Sequence, residues 1–358
     1  MECNLLMTTA PFRILQIGLG NRGQMWAEIV GARNDVVLSG VVDVDPVVLR
    51  EFVGSHPNVP TFTDLATALR LTASDAALLV TPPVGHLAQA KMIFGAGLPL
   101  LCEKPLAVDL AEAVAIVQLA DLAGLPLTVG LNFRYLPVSL KMREIIAEEV
   151  LGRPGFGQFV YQRNRNGARP GLNKYPLTME HPMMLEQSIH HLDLIRFCYG
   201  REVERVMCHT WNPSWSMYAH ESNVQCLLTM ADGLEVNYLG TWTGGWDVLQ
   251  FAWRTDCVDG IILQQELFGG LTIAHKSATE LSTIKLPIAR PFYDDTALLL
   301  DDFILAVRDG RAIPCSGHDH LQTLAVCFAA LESSASGCQV TLAEFSERQG
   351  LAPKSFPP

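Results

Sequence analysis

The sequence predicts an α/β chain of two parts. The first is an N-terminal doubly wound parallel sheet, and the second an α+β domain on a large, open, mostly antiparallel sheet. Three observations carry this. From residue 14 to 131 short apolar runs alternate with helical patterns, as in a parallel sheet whose crossovers are helices. A Gly18-x-Gly20-x-x-Gly23 turn stands between the first apolar run and the first helical pattern. Beyond Pro137 one amphipathic helix gives way to strand after strand, with turn pairs such as Asp232-Gly233 between them.

Taken in order, residues 1–9 read as a loose tail and 14–17 as a strand. The glycine turn follows, then a helix with Met25, Trp26, Ile29 and Val30 on one side. Residues 36–42 form the next strand, stopped by Asp43-Val44-Asp45-Pro46. Thr63 or Asp64 caps a short helix ending near Leu71. Residues 76–80 are a strand stopped by Thr81-Pro82-Pro83, and 86–95 a helix. Leu98, Leu100 and Leu101 mark a buried strand that ends abruptly in Glu103-Lys104-Pro105. Asp109, with Glu112 three residues on, is a capping box for a helix to Ala123. A strand over 127–131 completes a first domain set at residues 10–134. The second domain, 135–344, opens with a helix to about Val150. Strands follow at 158–163, 203–211, 224–230, 234–242, 248–254 and 261–267, with Gly269-Gly270 as a hairpin-type turn. Helices over 296–308 and 320–334 close it, and 345–358 read as a tail.

A length of 358 residues suits about two domains. Hydrophobic residues are 49% and charged residues 18%, which supplies sizeable cores and leaves apolar surface for a subunit interface. A net charge of -11 argues against nonspecific nucleic-acid binding. No apolar run approaches the roughly 20 residues of a membrane span. The start carries Glu2 and no continuous apolar stretch, so no secretory signal is expected there. Nine scattered cysteines with no C-x-x-C pair point to free thiols in a reducing cytoplasm, not to disulfides or a zinc ribbon.

Three groups of residues carry chemistry. Gly18, Gly20 and Gly23 allow a tight turn and close backbone approach, and the helix they open offers its N-terminus to a pyrophosphate. Asp43 ends the second strand, 20 residues past Gly23, where a carboxylate meets ribose hydroxyls. This is a dinucleotide site of the Rossmann kind. Lys104 sits at the carboxyl end of a sheet strand, the edge where ligands bind in such sheets. Glu186, His190 and Asp193 are spaced i, i+4, i+7, so one helical line can hold an imidazole between two carboxylates. His191 points about 100° away and reads as structural. Neighbouring residues point to different sides of a helix, so no metal is expected at His190, His191 and Asp193. The loop 163–174 holds Arg163, Arg165, Arg169 and Lys174 without an acid, and meets either an anionic group or only solvent. Trp242 and Trp246 serve packing before sugar stacking.

Together these features resemble the glucose-fructose oxidoreductase / inositol dehydrogenase / rhizopine catabolism (Gfo/Idh/MocA) family, from about Phe12 to Leu342. Thr81-Pro82-Pro83 with His86, Gly130-Leu131-Asn132-Phe133-Arg134, and the stretch from Asp302-Phe303 to Pro314 also match its pattern. The resemblance implies an NAD(P)-dependent oxidoreductase acting on the CH-OH groups of sugars, inositols or other polyols. It also implies a homodimer or homotetramer assembled on the open sheet. Lys104 then stands as the catalytic lysine and His190 as the acid/base, with Glu186 where many members have aspartate. Asn21, Arg22, Thr81, Pro82, His86, Glu103 and Lys104 join the glycines and Asp43 around the cofactor. Lys104, Arg134, Arg163, Glu186 and His190 meet the substrate. Asp43 and the nearby Asp45 point to NAD over NADP. The alternatives are a redox-neutral glycosidase or epimerase that reduces and reoxidises tightly held NAD, and a non-catalytic dinucleotide sensor. Lys104 and His190 together argue against the sensor.

Overall fold

The computed structural model describes residues 10–168 and 172–351. The tail expected at 1–9, Arg169 of the basic loop, and residues 352–358 lie outside the described residues. The chain forms two compact units. One gathers residues up to 106, 115–130 and 300–316, and the other 107–114, 131–299 and 317 onward.

The first unit is built on β1 (Phe12–Ile17), α1 (Asn21–Gly31), β2 (Val36–Val42), α2 (Pro46–Ser55), β3 (Thr61–Phe62) and α3 (Leu65–Leu71). It continues through β4 (Ala76–Leu79), α4 (His86–Gly95), β5 (Leu100–Cys102), α5 (Leu110–Ala123) and β6 (Leu127–Val129). The six strands lie in the order β3-β2-β1-β4-β5-β6, all parallel. The order reverses between β1 and β4, which opens a crevice at the carboxyl edge of the sheet. β4 and β5 are buried at every position, which is why they read as unbroken apolar runs. Local chemistry sets the helix starts. The Asp45 carboxylate accepts from Val47 N at 2.8 Å, Asp64 from Thr67 N at 2.8 Å and Asp109 from Glu112 N at 3.0 Å. Leu19, Ala27, Val41, Leu49 and Phe52 pack α1 and α2 onto the sheet.

The second unit comprises α6 (Pro137–Ala147), β7 (Pro154–Gln162), α7 (Ile189–Tyr199), β8 (Val203–Trp211), β9 (Asn223–Met230) and β10 (Glu235–Thr241). Next come β11 (Gln250–Cys257), β12 (Gly260–Glu266), β13 (Gly269–His275) and β14 (Ser282–Thr283). The chain ends with α8 (Asp294–Asp309), α9 (Gly317–Ser336), β15 (Val340–Thr341) and α10 (Leu342–Arg348). Nine strands make one sheet, antiparallel except where β10 runs parallel to β7. Burial alternates with the two-residue strand period: Val224, Cys226 and Leu228 are buried while Leu227 is exposed. Asp232 and Gly233 both take positive φ, as the tight β9–β10 turn requires.

Two expectations are corrected. Gly269-Gly270 is not the hairpin turn: Glu266 pairs with Gly269, so Leu267-Phe268 turn the chain and the glycines open β13. Residues 345–348 are not tail, because Leu342 and Phe345 are buried and fold that stretch into α10. Among the described residues no helix is long and apolar enough to cross a membrane.

Candidate active site

The carboxyl edge of the parallel sheet gathers the residues read as cofactor-binding. Gly18 follows β1 with φ +102°, and a Cβ there would lie 2.7 Å from the Val80 carbonyl oxygen. A Cβ on Gly23 would lie 2.3 Å from the Gly18 oxygen. Both positions therefore demand glycine. Gln16 was missed by the motif and locks this turn: its buried Nε2 donates to the carbonyls of Gly18 at 3.0 Å and Gly23 at 2.8 Å. The signal for it is a lone polar residue inside the apolar run of β1. Asp43 accepts from Leu19 N at 2.7 Å and from Asp45 N at 2.9 Å, so its carboxylate is aimed by the backbone of the glycine turn. Thr81 donates to Gln89 at 2.8 Å and Pro82 is exposed, in the loop after β4.

Glu103 and His86 do different work from that expected. Glu103 is buried and accepts on one oxygen from Arg22 Nε at 2.7 Å and Trp26 Nε1 at 2.8 Å. Burial alone would raise its pKa; the Arg22 charge and the Trp26 donor outweigh it and hold the carboxyl below its ordinary value. Glu103 thus ties α1 to the end of β5 and is engaged inside the protein, and Arg22 is engaged with it. His86 is 1% exposed, its two ring nitrogens 3.0 Å from the carbonyl oxygens of Leu106 and Thr81. Burial lowers its pKa, so the ring is neutral and donates from one nitrogen only, an internal strut between the loops after β4 and β5. Lys104 follows Glu103, half-buried, with a cis peptide bond to Pro105.

The His190 region belongs to the second unit. A π-helical segment, Met183–Ser188, carries Glu186 and runs into α7, which carries His190. The regular spacing expected from Glu186 to His190 therefore does not hold. Glu186 accepts from the Tyr175 hydroxyl. Asp193 is 2% exposed and accepts from Arg134 Nε at 2.7 Å and Thr323 Oγ1 at 2.8 Å. Arg134, expected at the substrate, is 3% exposed and pairs with both Asp193 and Asp319, so it is an internal anchor. His190 stacks on Phe133, ring centroids 4.4 Å apart.

His191 is buried, and its Nδ1 lies 2.9 Å from the Tyr238 hydroxyl, which donates onward to Ser188 at 2.8 Å. Gln187 Nε2 lies 3.1 Å from the other ring nitrogen. Burial brings its pKa down to about 3, so this ring is neutral and structural. Arg163 follows β7 with an exposed side chain, and its backbone N donates to Thr241 at 3.0 Å. Trp242 is buried under the Arg165 guanidinium, 4.7 Å from its ring, whereas Trp246 is 59% exposed.

Comparison with known proteins agrees with this layout. Residues 12–131 match the family described as "Oxidoreductase family, NAD-binding Rossmann fold", and residues 139–251 match the "GFO/IDH/MocA C-terminal domain". The chain belongs to the Gfo/Idh/MocA oxidoreductase family. D-apiose dehydrogenase of Paraburkholderia graminis is 26% identical over 94% of this chain and 91% of its own. Inositol 2-dehydrogenase of Leifsonia xyli is 29% identical over 56% of this chain and 57% of its own. The solved structure of levoglucosan dehydrogenase with NADH and levoglucosan shares the fold, with a TM-score of 0.82 at 17% identity, covering 93% of this chain and 99% of the other.

The Gfo/Idh/MocA chain described here is thus an oxidoreductase with an NAD-binding domain, and its residues fit that cofactor. The first turn of α1 holds no acidic residue, and its N-cap, Gly20, supplies no capping side chain. No atom lies within 4 Å of where a Gly20 Cβ would be, which leaves the helix N-terminus accessible to a pyrophosphate. Asp43 stands fixed just after β2, where a carboxylate would meet the ribose hydroxyls of a bound dinucleotide.

Proposed function

We propose that this oxidoreductase is an NAD-preferring dehydrogenase acting on a carbinol carbon of a sugar, inositol or related polyol. The observation that carries the reading is the built dinucleotide turn of the first unit, and a near-buried histidine on α7 of the second supports it. Bound NAD would accept the hydride from the carbinol carbon. The backbone of Gly18–Gly23 would hold the pyrophosphate, and Asp43 the adenosine ribose. His190 would take the hydroxyl proton as the C–H bond is broken, leaving a carbonyl. Lys104 would offer its ammonium to the oxygen as negative charge develops there. The named activities of the relatives, on apiose, inositol and levoglucosan, support a polyhydroxylated substrate.

Two further parts of the reading concern the molecule's surroundings. The outward face of the nine-stranded sheet exposes Met207 and Leu227, which pair across β8 and β9, and Phe156 on β7. Such apolar surface favours a homo-oligomer formed face to face across a two-fold axis. The eight described cysteines are free, and most are buried, which suits a cytoplasmic setting.

The test is a screen of purified protein with NAD against sugars, inositols and sugar acids, read at the NADH absorbance. Turnover with net NADH release on at least one polyol supports the reading. Conversion of a sugar with no net NADH points to the redox-neutral route and overturns it.

A further inference from the structure

We propose that Phe133 positions the proton acceptor: its ring sets the plane of the His190 imidazole, and a buried polar clasp sets Phe133. The inference rests on the reading of His190 as that acceptor. The two rings stack with centroids 4.4 Å apart and planes 23° from parallel. His190 is 8% exposed and Phe133 is 4% exposed, so both sit in packed surroundings.

Phe133 lies in a single 3-10 turn, Asn132–Tyr135, whose neighbours on either side are anchored. The Asn132 amide donates to Asp295. The Arg134 guanidinium spans Asp193 and Asp319, and its other face covers the Phe197 ring at 5.2 Å. Asp193 is held in turn by Thr323. His190 and Asp193 stand one turn apart on α7. Helix and turn therefore meet twice, through the Asp193–Arg134 ion pair and through the His190–Phe133 stack. This gives Asp193 a purpose other than touching the imidazole: it fixes the turn that carries the stacking ring.

Two more aromatic rings brace Phe133. Phe268 and Phe292 meet it edge-on, at 5.7 Å and 5.6 Å, and each other at 5.3 Å. Phe292 takes φ +69°, a left-handed conformation that is costly for a bulky residue and is held there by its surroundings. A stacked aromatic ring restricts rotation of the imidazole, and its π face favours the cation formed when the imidazole takes a proton. The helices packed against α7 carry Lys141, Arg143 and Glu144 on α6 and His318, Asp319, His320 and Glu332 on α9. Glu186, on the preceding segment, is bonded to Tyr175, and Asp193 to Arg134. Arg196 pairs with Glu202 and Asp319, and Arg143 from α6 covers Phe197. His191 is neutral, and His320 is buried on α9.

The experiment uses the full chain with NAD and the best substrate of the screen, comparing Phe133→Leu, Phe133→Trp and His190→Ala with wild type. Carbon-13 histidine labelling adds a readout without cofactor, the His190 signal being the one missing in His190→Ala. Phe133→Leu should lower kcat about 10- to 100-fold while the KM for NAD holds. The acid-side limb of its pH profile, and the His190 titration by NMR, should move down by about 0.5 to 1.5 pH units. The ring-current displacement of the His190 signal should vanish, and Phe133→Trp should restore all of these. If Leu does not fold, Phe133→Met carries the same comparison. A folded variant without the ring that keeps the wild-type pH limb and His190 signal overturns the inference. Near-normal turnover by His190→Ala instead overturns the reading of the acceptor, and the inference with it.

Discussion

We propose that Asp43 sets the choice of cofactor, and replacing it tests that role quantitatively. Both its oxygens are already fixed by backbone donors, from Leu19 N at 2.7 Å and Asp45 N at 2.9 Å, so the carboxylate is pre-aimed before any ribose arrives. A hydrogen bond to a charged group is worth about 1.5–3 kcal/mol. Losing one such bond to a ribose hydroxyl should cost about 10- to 100-fold in kcat/KM for NAD, at about 1.4 kcal/mol per tenfold. A 2′-phosphate would instead face a like charge. Two unit charges about 4 Å apart at an effective dielectric constant of about 20 repel by about 4 kcal/mol. Asp45 adds a second carboxylate two residues on, and the first base is Arg50, exposed on α2. Wild type should therefore use NAD better than NADP by about 100-fold or more. In Asp43→Ser the ratio should move toward NADP by about 100-fold or more, through loss on NAD and relief on NADP. The assay is kcat/KM with each cofactor on one substrate, with the thermal midpoint recorded because Leu19 N loses its acceptor. Equal use of both cofactors by wild type, or an unchanged ratio in the variant, would refute the reasoning.

Three more predictions follow from the same structure. Arg134→Ala leaves Asp193 and Asp319 buried without their shared guanidinium and should destabilise the protein by about 3–5 kcal/mol in urea unfolding; a loss under about 1 kcal/mol would show that the pair is not held as described. His191 has a folded-state pKa of about 3, below the ordinary value of 6.5, so its contribution to stability is full above about pH 6.5 and is lost as pH falls toward 3. Within that window wild type should lose about 1.4 kcal/mol more per pH unit than His191→Asn, and parallel curves would contradict the assignment. Light scattering at micromolar concentration should report a dimer or tetramer, with Leu227→Glu shifting it toward monomer; a monomeric wild type would remove the sheet-face interface.

Much of the first unit was legible because its signals are local. A strand, a glycine turn and a helix are consecutive in the chain, and Asp64 and Asp109 cap the helices that follow them directly. The placement of Asp43 beside the glycine turn was legible because it ends the strand that follows that turn's helix. The errors share the opposite cause. Arg134 carries the same charge whether it faces a substrate or the Asp193 and Asp319 carboxylates, and its partners lie 59 and 185 residues away. Glu103 likewise finds Arg22 and Trp26 at separations of 81 and 77. The π-helical segment at Met183–Ser188 breaks the spacing on which the Glu186–His190 line depends, and no local pattern marks it. Nor does any local signal bring residue 315 back to the first sheet, where Val129 N donates to Cys315 O at 2.8 Å.

We propose that His190 and Lys104 carry out proton transfer and charge stabilisation for hydride transfer from a polyol to NAD. The most direct measurement is single-turnover NADH formation by wild type, His190→Ala and Lys104→Ala, with NAD affinity measured separately by calorimetry. Both variants should bind NAD within about threefold of wild type, since neither side chain is assigned to the pyrophosphate or ribose. Both should lose hydride transfer by about 100-fold or more. Hydride transfer at close to the wild-type rate in both variants would contradict the account.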